Sequence, residues 1–145
     1  MQPTGAIDFV FFDIGGTLGD RDPQSGNLIA FPSTASLLAV TRDVLKLRIG
    51  VITTLGTMTD DEGRSLLAGA GLDRFLDPKG FVSEHNGEHV AKPQPQIYQI
   101  AARQVGVPIE RCLFIGENLL EVIGAVTAGM RAILKPCPPG RDSPV

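Results

Sequence analysis

Phe9-Val10-Phe11-Phe12-Asp13-Ile14-Gly15-Gly16-Thr17-Leu18 is the stretch on which the reading of this chain turns. Four apolar residues run into an aspartate, and two glycines follow at once. An apolar run without alternation is the pattern of a strand buried on both faces, as in the middle of a parallel sheet. An ionised carboxylate is costly to leave in such an interior, so Asp13 is expected at the strand's open end. Gly15 and Gly16 permit a sharp turn and let backbone N–H groups approach whatever Asp13 faces. A carboxylate beside exposed amide donors suits a metal ion and a phosphoryl group.

Outward from that stretch, strand and helix patterns alternate, which argues for an α/β domain with a parallel sheet. Gly19 to Pro32 is rich in Gly, Asp, Pro and Asn, with Leu28-Ile29-Ala30-Phe31 apolar inside it; it reads as a loop or short flap over the strand's open end. Ser33 or Thr34 can cap a helix running to about Leu47, with Leu37, Val40, Val44 and Leu47 on one face. Ile49 to Thr53 is a second buried strand that ends on the hydroxyls of Thr53 and Thr54. Thr59-Asp60-Asp61-Glu62 fits the capping box that starts a helix. Leu66, Leu67 and Ala70 supply that helix's apolar side, and Gly71 can close it in a left-handed cap.

Phe81-Val82-Ser83 is a short third strand and His85-Asn86-Gly87 a turn, with His85 and His89 read as solvated. Lys92-Pro93 leads into a helix from about Gln94 to Val105, closed by Gly106. Cys112-Leu113-Phe114-Ile115 is a fourth strand running into Gly116-Glu117. A helix from about Asn118 to Ala128 ends at Gly129, and Arg131-Ala132-Ile133-Leu134 is the fifth strand. Residues 1–134 thus read as one domain, and residues 135–145, with four prolines and no periodic pattern, as a loosely held tail.

A chain of 145 residues can bury a core without staples. Its net charge of -3 leaves no basic footprint for nucleic acid or an anionic membrane. No apolar run approaches the roughly 18 residues of a membrane span. Met1-Gln2-Pro3-Thr4-Gly5 lacks the basic and apolar regions of a secretory signal. Cys112 and Cys137 are isolated and point to neither zinc nor a redox pair, with Cys112 read as packing. The expectation is a cytoplasmic protein with no nucleic-acid and no membrane partner.

Set side by side, the polar strand ends resemble those of the haloacid dehalogenase (HAD) superfamily of phosphohydrolases. Asp13-Ile14-Gly15-Gly16-Thr17-Leu18 is similar to its first motif, Asp-x-Asp-Gly-Thr-Leu, with Gly15 in place of the second Asp. Thr53 matches the strand-ending hydroxyl of the second motif, and Lys92-Pro93 the lysine before a helix of the third. Gly116-Glu117-Asn118-Leu119-Leu120-Glu121 is similar to the fourth, Gly-Asp-x-x-x-Asp, with both acids lengthened to Glu. The resemblance implies a three-layer, Rossmann-like domain: a five-stranded parallel sheet of order 5-4-1-2-3, helices on both faces and no cap domain. The gaps from Leu18 to Ile49 and from Thr53 to Lys92 are too short for a cap. The site is therefore expected to be open, covered if at all by a homo-oligomer or a protein partner.

The same resemblance implies the chemistry. Asp13 would be the nucleophile that forms an aspartyl-phosphate, with Thr53 and Lys92 as its catalytic partners. Gly15, Gly16, Thr53, Thr54 and Lys92 would bind the phosphoryl group. Asp13, the Gly15 carbonyl, Glu117 and Glu121 would hold Mg²⁺. Blander readings exist for each: an Asp that starts a turn, a helix-capping Thr, acids that meet a helix dipole. The departure at Gly15 matters most, because the missing Asp is the family's general acid and base, a role worth about 10² to 10⁴ in rate. Asp20 and Asp22 are the substitutes within reach along the chain. The reading that results is a weak Mg²⁺-dependent phosphohydrolase, best on phosphorylated substrates with good leaving groups. The alternatives are a catalytically impaired HAD-fold protein with a binding or regulatory role, and a phosphoacceptor module.

Overall fold

A computed structural model describes residues 5–136; Met1 to Thr4, and the tail from Cys137 onward with the expectations attached to it, lie outside the described residues. The elements in chain order are β1 (Phe9–Phe12), β2 (Gly19–Arg21), β3 (Leu28–Ala30), α1 (Thr34–Ala39), β4 (Arg48–Thr53), α2 (Asp60–Gly69), β5 (Phe81–Ser83), α3 (Pro95–Val105), β6 (Cys112–Gly116), α4 (Leu119–Ala128) and β7 (Arg131–Leu134). All four pairings of the five-stranded sheet are parallel.

The inner strands of the sheet bury side chains on both faces through period-two alternation, and β1 shows it most clearly. Phe9 and Phe11 enter one core with Ile97, Tyr98, Phe114 and Ala125, the side covered by α3 and α4. Val10 and Phe12 enter a second core with Leu38, Leu67, Leu72 and Phe75, the side covered by α1 and α2. A strand apolar on both faces is what a three-layer sandwich requires of its central strand.

The sheet runs β5-β4-β1-β6-β7. The expected order 5-4-1-2-3, counted on five strands, becomes 7-6-1-4-5 once the two hairpin strands are numbered, which is this sheet read from its other edge. Residues 19–21 and 28–30, read as loop or flap, form an antiparallel hairpin with Asp20 opposite Ile29, which adds two strands to the count. The consequence for the site is that β1 lies between β4 and β6. Chain connections leave β1 and β6 toward opposite sides there, which opens a crevice at the strands' C-terminal ends.

The first helix also differs from expectation. The α-helical turns end at Ala39 and a π-helical turn covers Val40–Val44. Leu37, Val40 and Val44 are exposed, and Thr34, Leu38 and Thr41 face inward instead. The two threonines are tolerated inside because their hydroxyls donate to backbone carbonyls, Thr34 to Leu18 O at 2.7 Å and Thr41 to Leu37 O at 2.8 Å. The other helix ends follow the sequence reading. Thr59 and Glu62 form a reciprocal capping box, and Gly106 and Gly129 close α3 and α4 in the left-handed region.

Candidate active site

Asp13 follows Phe9 and Phe11 in the strand alternation, so its side chain faces the α3–α4 side, where Lys92 meets it. Lys92 Nζ donates to Asp13 Oδ1 at 2.6 Å and lies 2.8 Å from Glu121 Oε1. The lysine side chain is only 2% exposed. Its approach to Glu121 is an ion pair without hydrogen-bond direction, so the buried Oε1 of Glu121 receives no hydrogen bond. The ammonium also sits 5.6 Å from the centre of the Phe114 ring. One buried positive charge is thereby held between two carboxylates, one of which ends β1.

The sequence places these groups through the packing of α3 on α4. Asn118 caps α4 by accepting from Glu121 N at 3.1 Å, and the Tyr98 hydroxyl of α3 donates to Glu121 O at 2.6 Å. Burial pushes the pKa of that hydroxyl up, as do the nearby charges of Glu121 and Asp13, so Tyr98 stays a neutral donor. Gly124 carries no side chain where one would overlap the Pro93 carbonyl, and an added Cβ would also lie 3.2 Å from the Tyr98 ring. The backbone next to Lys92 therefore lies flush against α4.

The glycine turn is built differently. Gly16 has φ of +77°, donates to Gly19 O at 2.8 Å, and a Cβ there would overlap the Glu117 carboxylate. Glu117 is thus folded onto the turn that follows Asp13. Gly116, beside it, comes within 3.5 Å of the Asp13 Cβ when its own Cβ is built. Gly15 has ordinary backbone and open space: a Cβ there would meet nothing within 4 Å.

Across the crevice, β4 pairs Val51 with Phe12, so Thr53 lies at the same end of the sheet as Asp13, buried, with Thr54 exposed beyond it. The loop after Thr54 is tied by Glu84, which accepts from Leu55 N at 2.8 Å and Gly56 N at 2.9 Å. Burial opposes the charge on Glu84, but those two amide donors, aided by His85, hold its carboxyl below the usual range. Of the two substitute acids, Asp22 is spent on the hairpin tip, accepting from Gln24 N and the Ser25 hydroxyl. Asp20 lies within β2. His85 is exposed and bonds Met58 O, and Cys112 is fully buried, its thiol pushed up to about 12 by burial.

The structure thus brings Asp13, Lys92 and Glu121 into contact, sets Glu117 against Gly16, and puts Thr53 on the neighbouring strand end. Among the described residues no three acidic, imidazole or thiolate side chains converge as a ready metal cage. Lys92 engages Glu121 and one oxygen of Asp13; the other Asp13 oxygen, Glu117 and the Gly15 carbonyl stand around the turn. Mg²⁺ is usually held by one or two carboxylates with several waters kept, so the chemistry of that reduced donor set fits it.

Three contributors escaped the sequence reading. Glu84 and Tyr98 fix the frame. Lys135, assigned to a loosely held tail, instead extends the β6–β7 ladder through Lys135 N to Gly116 O at 2.8 Å. Its Nζ reaches back to Gly16 O at 3.4 Å and lies 4.6 Å from the centre of the Phe31 ring. The only signal available was its position immediately after the last strand.

Residues 25–129 match the family model described as haloacid dehalogenase-like hydrolase. The chain is 38% identical over 88 residues to "Phosphatase MT3486" of Mycobacterium tuberculosis, a match covering 61% of this chain and 38% of that protein. It is 32% identical over 84 residues to "Pyrophosphatase PpaX" of Bacillus cereus, covering 58% and 36%. The chain therefore spans less than two fifths of the curated relatives it matches. Among solved structures, a dehalogenase with an intermediate complex superposes with a TM-score of 0.66 at 25% identity, covering 74% of this chain and 45% of that one. A HAD family hydrolase from Deinococcus radiodurans superposes with a TM-score of 0.73 over 96% of this chain and 84% of that one, and at 18% identity it speaks for the fold alone. No helix among the described residues is long and apolar enough to cross a membrane.

Proposed function

From membership of the haloacid dehalogenase-like hydrolase family, to which this chain belongs, we propose that it is a phosphohydrolase working through Asp13 on substrates whose leaving group needs no proton. The observation that carries this reading is the buried Lys92 ammonium 2.6 Å from the Asp13 carboxylate. A fixed cation at that point holds the nucleophile in place and meets charge developing on the phosphoryl oxygens. The phosphatase and pyrophosphatase names of the curated relatives support the substrate class.

An Asp13 oxygen attacks phosphorus, and the bond to the leaving oxygen breaks with its electron pair departing on that oxygen. Water then opens the aspartyl-phosphate, returning the carboxylate and releasing phosphate. Lys92 holds Asp13 in line and Thr53 offers a hydroxyl to the phosphoryl oxygens, whereas the Gly16 N–H is taken up by Gly19 O. Mg²⁺, held by Asp13, Glu117 and the Gly15 carbonyl, would supply further neutralisation of phosphoryl charge. Gly15 has no side chain to protonate a leaving group, so alkyl monoesters are poor substrates. Acyl phosphates, aryl phosphates and phosphoanhydrides leave as stable anions and are the better class. The open space at Gly15 also favours a second reading, a protein that binds phosphate or metal without turning over.

Purified protein with Mg²⁺ should hydrolyse acetyl phosphate, and Asp13→Asn should lower the rate by at least about 10³-fold. An unaffected rate in that variant removes the nucleophile from the proposal. No turnover in the wild type, with turnover gained in Gly15→Asp, supports the second reading.

A further inference from the structure

Lys135 and Phe31 meet at the Gly15–Gly16 turn. Lys135 is anchored through its backbone to Gly116 O, and its ammonium is carried across to Gly16 O at 3.4 Å over the Phe31 ring at 4.6 Å. Phe31 is itself fixed by Phe31 N to Leu18 O at 3.0 Å. The hairpin side of the turn and the last strand, far apart in sequence, thus combine to place a cation there. An aromatic face attracts an ammonium without fixing the direction of its N–H groups, which leaves the cation able to turn toward a ligand. The contact to Gly16 O is long, at the outer edge of hydrogen bonding.

We propose that Lys135, supported by Phe31, is an anion subsite for the departing half of a phosphoanhydride, the second phosphate of a diphosphate group. This rests on the phosphohydrolase reading above and deepens it. The two features that carry it are complementary. Gly15 supplies no proton, so the bridging P–O bond breaks with its electron pair on a phosphate that leaves as an anion. A cation beside the same turn stabilises that charge in place of a proton. Lys92, buried between Asp13 and Glu121, is committed to the nucleophile and serves the transferred phosphoryl group instead.

The test is titration calorimetry with imidodiphosphate, a diphosphate with a non-hydrolysable bridge, and with orthophosphate, at fixed free Mg²⁺. In Lys135→Gln the affinity for imidodiphosphate should fall at least tenfold more than that for orthophosphate. Lys135→Arg should recover most of the difference, and Phe31→Leu should show part of the loss. Thermal melts of the same samples establish that each variant is folded. Equal losses for the two anions, no loss for either, or no binding of imidodiphosphate by the wild type each overturns the subsite. Because the readout is binding, it stands apart from acetyl phosphate turnover, whose failure would sink the hydrolase reading alone.

Discussion

The two flanks of Asp13 are made in opposite ways. The α3–α4 flank is packed: Lys92 lies between two carboxylates, Tyr98 bonds the backbone of Glu121, and Gly124 lets α4 press on Pro93. On the glycine flank Gly16 carries Glu117 against it, but Gly15 opens onto space that no atom occupies within 4 Å of an added Cβ. Charge that must be present before reaction is built into the packed flank. The group that would move a proton during reaction is missing from the open one. On the reading proposed above, the difference assigns attack on phosphorus and release of the leaving group to separate flanks of the site.

The severest way to break that contrast is to empty the packed flank. Lys92→Met leaves Asp13 and Glu121 buried without their cation and should cost about 3 to 5 kcal/mol in a urea melt. A loss under 1 kcal/mol would mean that solvent already screens both carboxylates. The converse change fills the open flank. Gly15→Asp meets no steric obstacle and should raise hydrolysis of an alkyl phosphate by about 10²-fold in a steady-state assay. Stability should change little, and an unaltered rate would show that more than an acid is missing.

A smaller effect sharpens the contrast on the β4 side, where Glu84 ties the loop after Thr54. Glu84→Gln should cost about 1 kcal/mol through weaker acceptance from Leu55 N and Gly56 N. Because the folded carboxyl is held below its unfolded value, Glu84's contribution is present above the unfolded pKa and disappears as pH falls through the folded one. Melts from neutral pH downward should therefore show the wild type and the variant converging in acid; a constant gap would mean the tie is not ionic.

Much of this was legible in the chain because it depends on local rules. A strand apolar on both faces, a capping box, and glycines after α3 and α4 each state their structure within a few residues. The Asp13, Thr53, Lys92 and Glu117 positions could be ranked because each ends or follows such an element. What was not legible depends on satisfaction at a distance. Thr34 and Thr41 look solvent-facing until their hydroxyls find carbonyls, so a leucine–valine stripe on α1 misled the choice of buried face. Lys135 sits in a Pro-rich tail by composition, and only the register of β7 on β6 carries it to Gly16. Glu121 is equally suited to a metal or a lysine, and the choice follows from where the loop before α3 lies.

That choice rests on a single missing methyl group. Since α4 touches the Pro93 carbonyl through Gly124, the spacing between Glu121 and Lys92 is gauged by two main chains in contact, a ruler with no rotamers. Adjusting that distance requires shifting a whole helix, so drift in either helix's surface residues leaves the gap alone. The protein can change its outer skin freely while the charge pair stays calibrated.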